Sequence, residues 1–184
     1  MRTLVLVALL FVAAWAVAIP QTPRLNFRDV AADFGLTAKN IYGGLHNKDY
    51  ILETTGNGAA IFDFDGDGNS DILITNGSTI DADKTGIHPH LQLYRNEQNR
   101  HFTDVALKAG LTAEGWAQGV CVGDYDNDGH PDLLVTYYGH NVLYRNRGSG
   151  TFEDVTEKAH LPVTGIRYGS GCTFVDYDRD GYLD

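Results

Sequence analysis

The chain has 184 residues, 43% of them hydrophobic, and its 24 acidic side chains against 14 basic ones give a formal net charge of -10. That hydrophobic content excludes a disordered acidic tail, and the length suits one ordinary domain. The acidic surplus offers no basic footprint for phosphates, which excludes nucleic acid as a partner.

In chain order, Met1 and Arg2 give a short basic start, and Leu4 to Val17 run without a charge. Ala16-Val17-Ala18 then supplies the small-x-small pattern of a signal-peptidase site. The apolar run falls short of the ~20 residues that a helical membrane span needs. Residues 1–18 therefore read as a signal peptide and not as an anchor. No later stretch is apolar enough to span a bilayer, so the mature chain is expected to be exported (secreted, extracellular or periplasmic) with no membrane insertion after cleavage. Residues 19–57 form an N-terminal segment that contains Phe27-Arg28-Asp29-Val30, a phrase that returns twice downstream.

From residue 58 onward the chain repeats. The first unit opens on the small residues Gly58-Ala59-Ala60 and passes through an Asp-rich loop from Asp63 to Asp71. It continues in Asp71-Ile72-Leu73-Ile74-Thr75, Leu93-Tyr94-Arg95-Asn96 and Phe102-Thr103-Asp104-Val105. The second unit opens on Gly119-Val120-Cys121 and gives Asp124 to Asp132, Asp132-Leu133-Leu134-Val135-Thr136, Leu143-Tyr144-Arg145-Asn146 and Phe152-Glu153-Asp154-Val155. The third supplies Gly171-Cys172-Thr173 and the loop Asp176 to Asp184. Phe102 to Phe152 is 50 residues and Asp124 to Asp176 is 52, while Asp63 to Asp124 is 61, the excess fitting an inserted loop around Ser78 to His90. A period near 50 made of short strands indicates a propeller. The consecutive apolar positions after each loop suit strands covered on both faces, and the small residues before it suit the crowded axis where blades converge. Tyr94, Tyr144, Phe102 and Phe152 recur with the repeat and read as blade core. A few helical turns are expected over Val105 to Ala109, ended by Gly110. The expected fold is all-β: a partial β-propeller with two complete four-stranded blades plus the start of a third, the blades beginning near 58, 119 and 171.

Twelve aspartates sit in the three loops: Asp63, Asp65, Asp67 and Asp71; Asp124, Asp126, Asp128 and Asp132; Asp176, Asp178, Asp180 and Asp184. Four carboxylates at positions 1, 3, 5 and 9 repel one another unless a cation lies among them. Calcium accepts six to eight hard oxygens in flexible geometry, whereas magnesium resists giving up its waters. Glycine at position 6 (Gly68, Gly129, Gly181) permits the sharp turn, and the carbonyls of Asn69, His130 and Tyr182 at position 7 would add one oxygen each. Two to three calcium ions are expected. An EF-hand also needs a glutamate at position 12, where Ile74 and Val135 stand here, so that motif is excluded. Plain polar hairpin turns would need only an Asp-Gly pair in each loop.

Cys121 and Cys172 fall on opposite strand faces, where adjacent blades make a disulfide geometrically conceivable and export permits one. Two small buried thiols are nevertheless the expected state. His88-Pro89-His90 reads as a polar loop, and Asn76-Gly77-Ser78 matches a glycosylation acceptor. Gly169-Ser170-Gly171 is not a nucleophile elbow, and loop carboxylates committed to metal cannot serve as acid and base. No catalytic residue is expected in this chain.

In Tyr50-Ile51-Leu52-Glu53-Thr54, Gly58-Ala59-Ala60-Ile61-Phe62-Asp63, Leu143-Tyr144-Arg145-Asn146 and Gly171-Cys172-Thr173-Phe174-Val175-Asp176-Tyr177-Asp178 the sequence resembles the FG-GAP/VCBS repeat, the blade of integrin-α-type propellers. It is more closely similar to the bacterial relatives of cartilage acidic protein, whose propeller precedes an ASPIC/UnbV domain. The resemblance implies a seven-bladed propeller of which this chain is a fragment, calcium in the inter-strand loops, and extracellular recognition without catalysis. The expected role is a calcium-stabilised module that contacts an extracellular protein or glycan. The alternative is a calcium-stabilised accessory region of an extracellular enzyme, such as a polysaccharide-degrading one. The third loop should bind more weakly, since Asp184 at its ninth position ends the chain.

Overall fold

The computed structural model describes residues 25–44, 46–86, 88–98 and 101–184, so the signal peptide expected over residues 1–18 lies outside the described residues. The fold is all-β. The first blade pairs β1 (Ala59–Phe62), β2 (Asp71–Ile74), β3 (Gln92–Asn96) and β4 (Phe102–Asp104) in that order, all antiparallel. The second pairs β5 (Trp116–Gly123), β6 (Asp132–Gly139), β7 (Val142–Asn146) and β8 (Phe152–Asp154) in the same way. A short strand β9 (Arg167–Tyr168) adds to the far side of β6, opposite Tyr138 and Gly139. In both blades the Asp loop closes the first hairpin, Phe62 facing Asp71 and Gly123 facing Asp132. The third unit reaches its Asp loop, where Val175 and Asp184 exchange backbone hydrogen bonds (3.4 and 2.9 Å) across the position of the next hairpin.

Alternation of side chains along the short strands sends every second residue of β2 into the core. Leu73, Leu93, Leu111, Leu133 and Val135 are fully buried, joined by Tyr94, Tyr144 and Phe152 from the repeated phrases; Phe102 is half-buried. The tyrosines keep their polar ends satisfied: Tyr94 Oη accepts from Ala38 N (3.2 Å) and Tyr144 Oη from Ala113 N (3.0 Å). Between the blades, the ring of Phe64 stacks on Phe152 with centroids 6.1 Å apart.

The turn behind each outer strand is a repeated object. Asp104 Oδ1 accepts from Ala106 N (3.0 Å), Ala109 N donates to Val105 O (2.7 Å) and Leu111 N to Ala106 O (2.9 Å). Residues 154–161 reproduce those bonds. So do residues 29–36, with Asp29 Oδ1 accepting from Ala31 N and Leu36 N donating to Ala31 O. Expected helical turns thus appear as tight turns. Ahead of the first copy, residues 25–30 belong to no strand and Phe27 is 90% exposed. The first two of these turns dock the blade that follows: Phe34 O accepts from Phe102 N and Ala109 O from Phe152 N, both at 2.7 Å.

The glycines that open the repeats lie where blades converge. A Cβ on Gly58 would stand 2.8 Å from Gly119 Cα, and one on Gly119 would stand 2.8 Å from Ser170 O. This close approach corrects the expectation of free thiols. Cys121 on β5 and Cys172 in the third unit form a disulfide across the second junction, with Cα atoms 5.8 Å apart. Small residues draw the inner strands together, so the opposite faces carrying the two sulfurs meet.

The inserted loop carries a four-residue helix, α1 (Ala82–Thr85), and packs on the N-terminal segment. Asn76 and Ser78 are buried there; Asn76 Oδ1 accepts from Ile41 N (2.8 Å) and Ser78 O from Gly43 N (2.7 Å). The glycosylation-like triplet is therefore committed to packing. His88 pairs with Glu114 (3.4 Å), in keeping with a polar loop.

Candidate metal centres

Each Asp loop is shaped by its own carboxylates. In the first, Asp63 Oδ1 accepts from Gly66 N (2.9 Å) and its Oδ2 from Gly68 N (2.8 Å), which wraps the backbone around position 1. Gly68, at position 6, has φ +86°, a left-handed conformation that glycine adopts without Cβ strain. Gly129 and Gly181 repeat it at +87° and +92°. Asp124 and Asp176 likewise accept from the main chain at positions 5 and 6.

The ninth position comes from the start of the following strand and is the buried anchor. Asp71 and Asp132 are fully buried. Asp71 Oδ2 accepts from Phe64 N (3.0 Å) and its Oδ1 from Asn96 N (2.8 Å); Asp132 accepts from Tyr125 N (3.1 Å) and Asn146 N (2.7 Å) in the same pattern. Asp184 accepts from Tyr177 N (3.1 Å), the equivalent of the first of these bonds.

The carboxylates at positions 1, 3 and 9 converge in all three loops. Asp63, Asp65 and Asp71 each offer an oxygen within 4.8 Å of the others, as do Asp124, Asp126 and Asp132, and Asp176, Asp178 and Asp184. Asp67, Asp128 and Asp180 at position 5 lie outside these trios. Their Oδ1 atoms accept from the backbone N–H of Asn69 (2.8 Å), His130 (3.0 Å) and Tyr182 (2.8 Å), which ties position 7 to position 5.

Two observations test whether these residues fit a cation. Asp65 Oδ1 and Asp126 Oδ1 are buried and have no hydrogen-bond partner, a costly state for a carboxylate oxygen unless something positive meets it. The electrostatics agree. Burial, then the charges of Asp126 and Asp128, push Asp132 up to about 6 against the opposing pull of its backbone hydrogen bonds. Burial raises Asp71 too, and burial followed by the Asp67 charge raises Asp65. A divalent ion among the oxygens would reverse that opposition to ionisation. The donor set is all oxygen, which suits a hard cation. The three loops can therefore hold a metal ion.

Sequence reasoning missed the arginines at these centres. Arg95 Nε lies 3.5 Å from Asp65 Oδ2, and Arg145 reaches Asp126 Oδ2 (2.6 Å) and Asp128 Oδ2 (2.9 Å). Their recurrence in Leu-Tyr-Arg-Asn, unexplained by core packing, was the available signal. Asn146 is a second such residue: its Nδ2 donates to Phe64 O (2.8 Å) in the loop of the preceding blade.

A model of the FG-GAP-like repeat matches residues 63–135 and 124–184, more than half of the chain. Cartilage acidic protein 1 of Xenopus tropicalis is 27% identical over 136 residues, which cover 71% of this chain and 20% of that protein. Cartilage acidic protein 1 of Homo sapiens is 34% identical over 82 residues, 44% of this chain and 12% of that protein. The matched spans thus amount to a fifth or less of the length of these relatives.

Proposed function

This chain belongs to the FG-GAP-like repeat family, and on that premise we propose that it is an exported module whose blades are clamped by calcium and whose role is to bind an extracellular protein or glycan. One observation carries the metal reading: three carboxylates converge within 4.8 Å at the same positions in three successive loops. The carboxylates of Asp67, Asp128 and Asp180 and the carbonyls of Asn69, His130 and Tyr182 would complete each oxygen set. Calcium so held would tie the two strands of the first hairpin together through the loop that joins them. The Cys121–Cys172 bridge supports export, because such bonds persist in oxidising compartments. A non-catalytic role agrees with loop carboxylates occupied by an ion.

Thermal unfolding with calcium, with chelator and with magnesium tests the proposal. Extracellular calcium modules bind at about 0.1–1 mM, so a tenfold excess over the dissociation constant stabilises by about 1.4 kcal/mol per site. The expected result is a rise of several degrees in melting temperature with calcium that magnesium does not reproduce. An unchanged melt would remove the metal and, with it, the clamped-blade function.

A further inference from the structure

We infer that the arginine of the repeated Leu-Tyr-Arg-Asn phrase, Arg145 in the second blade and Arg95 in the first, is a positioning residue of the metal loop that holds the position-3 carboxylate by Oδ2 and thereby presents Oδ1 to the ion. The inference rests on the calcium reading above and assigns a role to residues outside the ligand set.

The arrangement occurs twice. Asp126 has its Oδ2 against Arg145 Nε at 2.6 Å, and Asp65 its Oδ2 against Arg95 Nε at 3.5 Å. In both loops the other oxygen, Oδ1, is buried without a hydrogen-bond partner. The same carboxylate thus has one oxygen in an ion pair with a guanidinium, whose Nε makes no hydrogen bond, and the other oxygen buried and unpartnered, in two copies. The adjacent residue of the phrase acts on a second ligand: Asn96 N and Asn146 N donate to Asp71 and Asp132 at position 9. One Arg-Asn pair on the third strand of a blade therefore orients two of the three converging carboxylates.

The grip differs between loops. Arg145 spans Asp126 and Asp128 with two nitrogens, at 2.6 and 2.9 Å. Arg95 sits farther from Asp65 and is shared with Glu97 at 3.5 Å. As plain surface ion pairs these contacts would add little stability. Their value lies in geometry: the rigid, planar guanidinium sets the relative orientation of the two carboxylates it spans, which a freely rotating ammonium does not impose. Groups that orient metal ligands in this way typically alter affinity by about 10- to 100-fold when removed.

Arg145→Lys is the discriminating variant, because lysine keeps the positive charge, and so its repulsion of the ion, while losing the fork. The experiment is calorimetric titration of the full chain with calcium chloride, in a background where Asp63→Asn and Asp176→Asn leave the second loop to report. The expected result is calcium binding about tenfold weaker in R145K, with the ion-free melting temperature little changed. Equal affinity in the two chains would overturn the inference, as would a drop in ion-free stability that leaves calcium affinity intact. R95K in the converse background, Asp124→Asn with Asp176→Asn, provides a second test, with a smaller loss expected from the looser grip. If the parent chain takes up no calcium, the metal reading fails and the arginine's role falls with it; if the parent binds and both lysine variants match it, only the arginine's role fails.

Discussion

Removing the Cys121–Cys172 bridge should loosen the third unit and lower the stability of the whole chain. The bond closes a loop over a sequence separation of 51. Loop-closure entropy for that length amounts to about 4 kcal/mol of destabilisation when the cross-link is lost. For a chain of this size each kcal/mol corresponds to about 2–4 °C, so the melting temperature should fall by roughly 10 °C. Beyond Tyr168 the third unit is otherwise held by few contacts, among them Gly169 N to Tyr137 O (3.0 Å) and Asn127 Nδ2 to Gly181 O (2.8 Å). Its residues are largely exposed, Arg179 included. The assay compares the oxidised chain with Cys121→Ser/Cys172→Ser by calorimetry and by brief trypsin digestion followed by mass spectrometry. The variant should be cut after Arg179 well before the two complete blades are degraded. Equal melting temperatures together with equal cleavage at Arg179 would refute the view that the bridge holds the third unit in place.

Phe152→Ala deletes a ring that is 5% exposed and stacked on Phe64, and should cost about 3–5 kcal/mol in a urea titration; a loss below about 1 kcal/mol would mean that the two blades are not packed through this pair. Glu53 accepts from the backbone N–H groups of Gly44, Asp49 and Tyr50 at 3.0, 2.9 and 3.1 Å, and these bonds, Gly44's first, hold its carboxyl below the ordinary 4.5. Because the folded value is the lower one, this clamp is fully formed above the ordinary value and is lost as pH falls through the depressed one. Protection of the amides at residues 44, 49 and 50, taken relative to their intrinsic exchange rates, should fall across that acid range in the native chain and lack that pH dependence in Glu53→Gln. Expression in a glycosylating host should leave Asn76 unmodified in the folded protein, since Asn76 and Ser78 are each 5% exposed; an intact mass carrying a glycan at Asn76 would contradict the packing described.

Much of the fold was legible because repetition fixes register. The phrases Leu-Tyr-Arg-Asn and Phe-x-Asp-Val fall on the third and fourth strands of both blades, and the Asp loops close the first hairpin as their spacing requires. Of the carboxylates expected to converge at positions 1, 3, 5 and 9, those at 1, 3 and 9 form the trios for the same reason, while position 5 lies outside them. What escaped were interactions between units. The disulfide depended on how closely Gly58, Gly119 and Ser170 let the blades approach, which no single strand pattern encodes. Among the described residues the first blade has no separate strand in the place of β9, so repetition could not announce it. Arg145 and Asn146 were read as strand residues, although their side chains act on loops up to 82 positions away.

The repeated turn behind each outer strand bears on how such a chain comes into being. Phe34 O and Ala109 O are each presented by a segment that precedes the blade they receive, and the bonds inside each turn span only a few residues. A polypeptide emerging from the ribosome therefore completes each docking ledge before the strand that will rest on it has been synthesised. Assembly can run from the N-terminal side as synthesis proceeds, and the nascent edge of one blade waits only for the strands that come next.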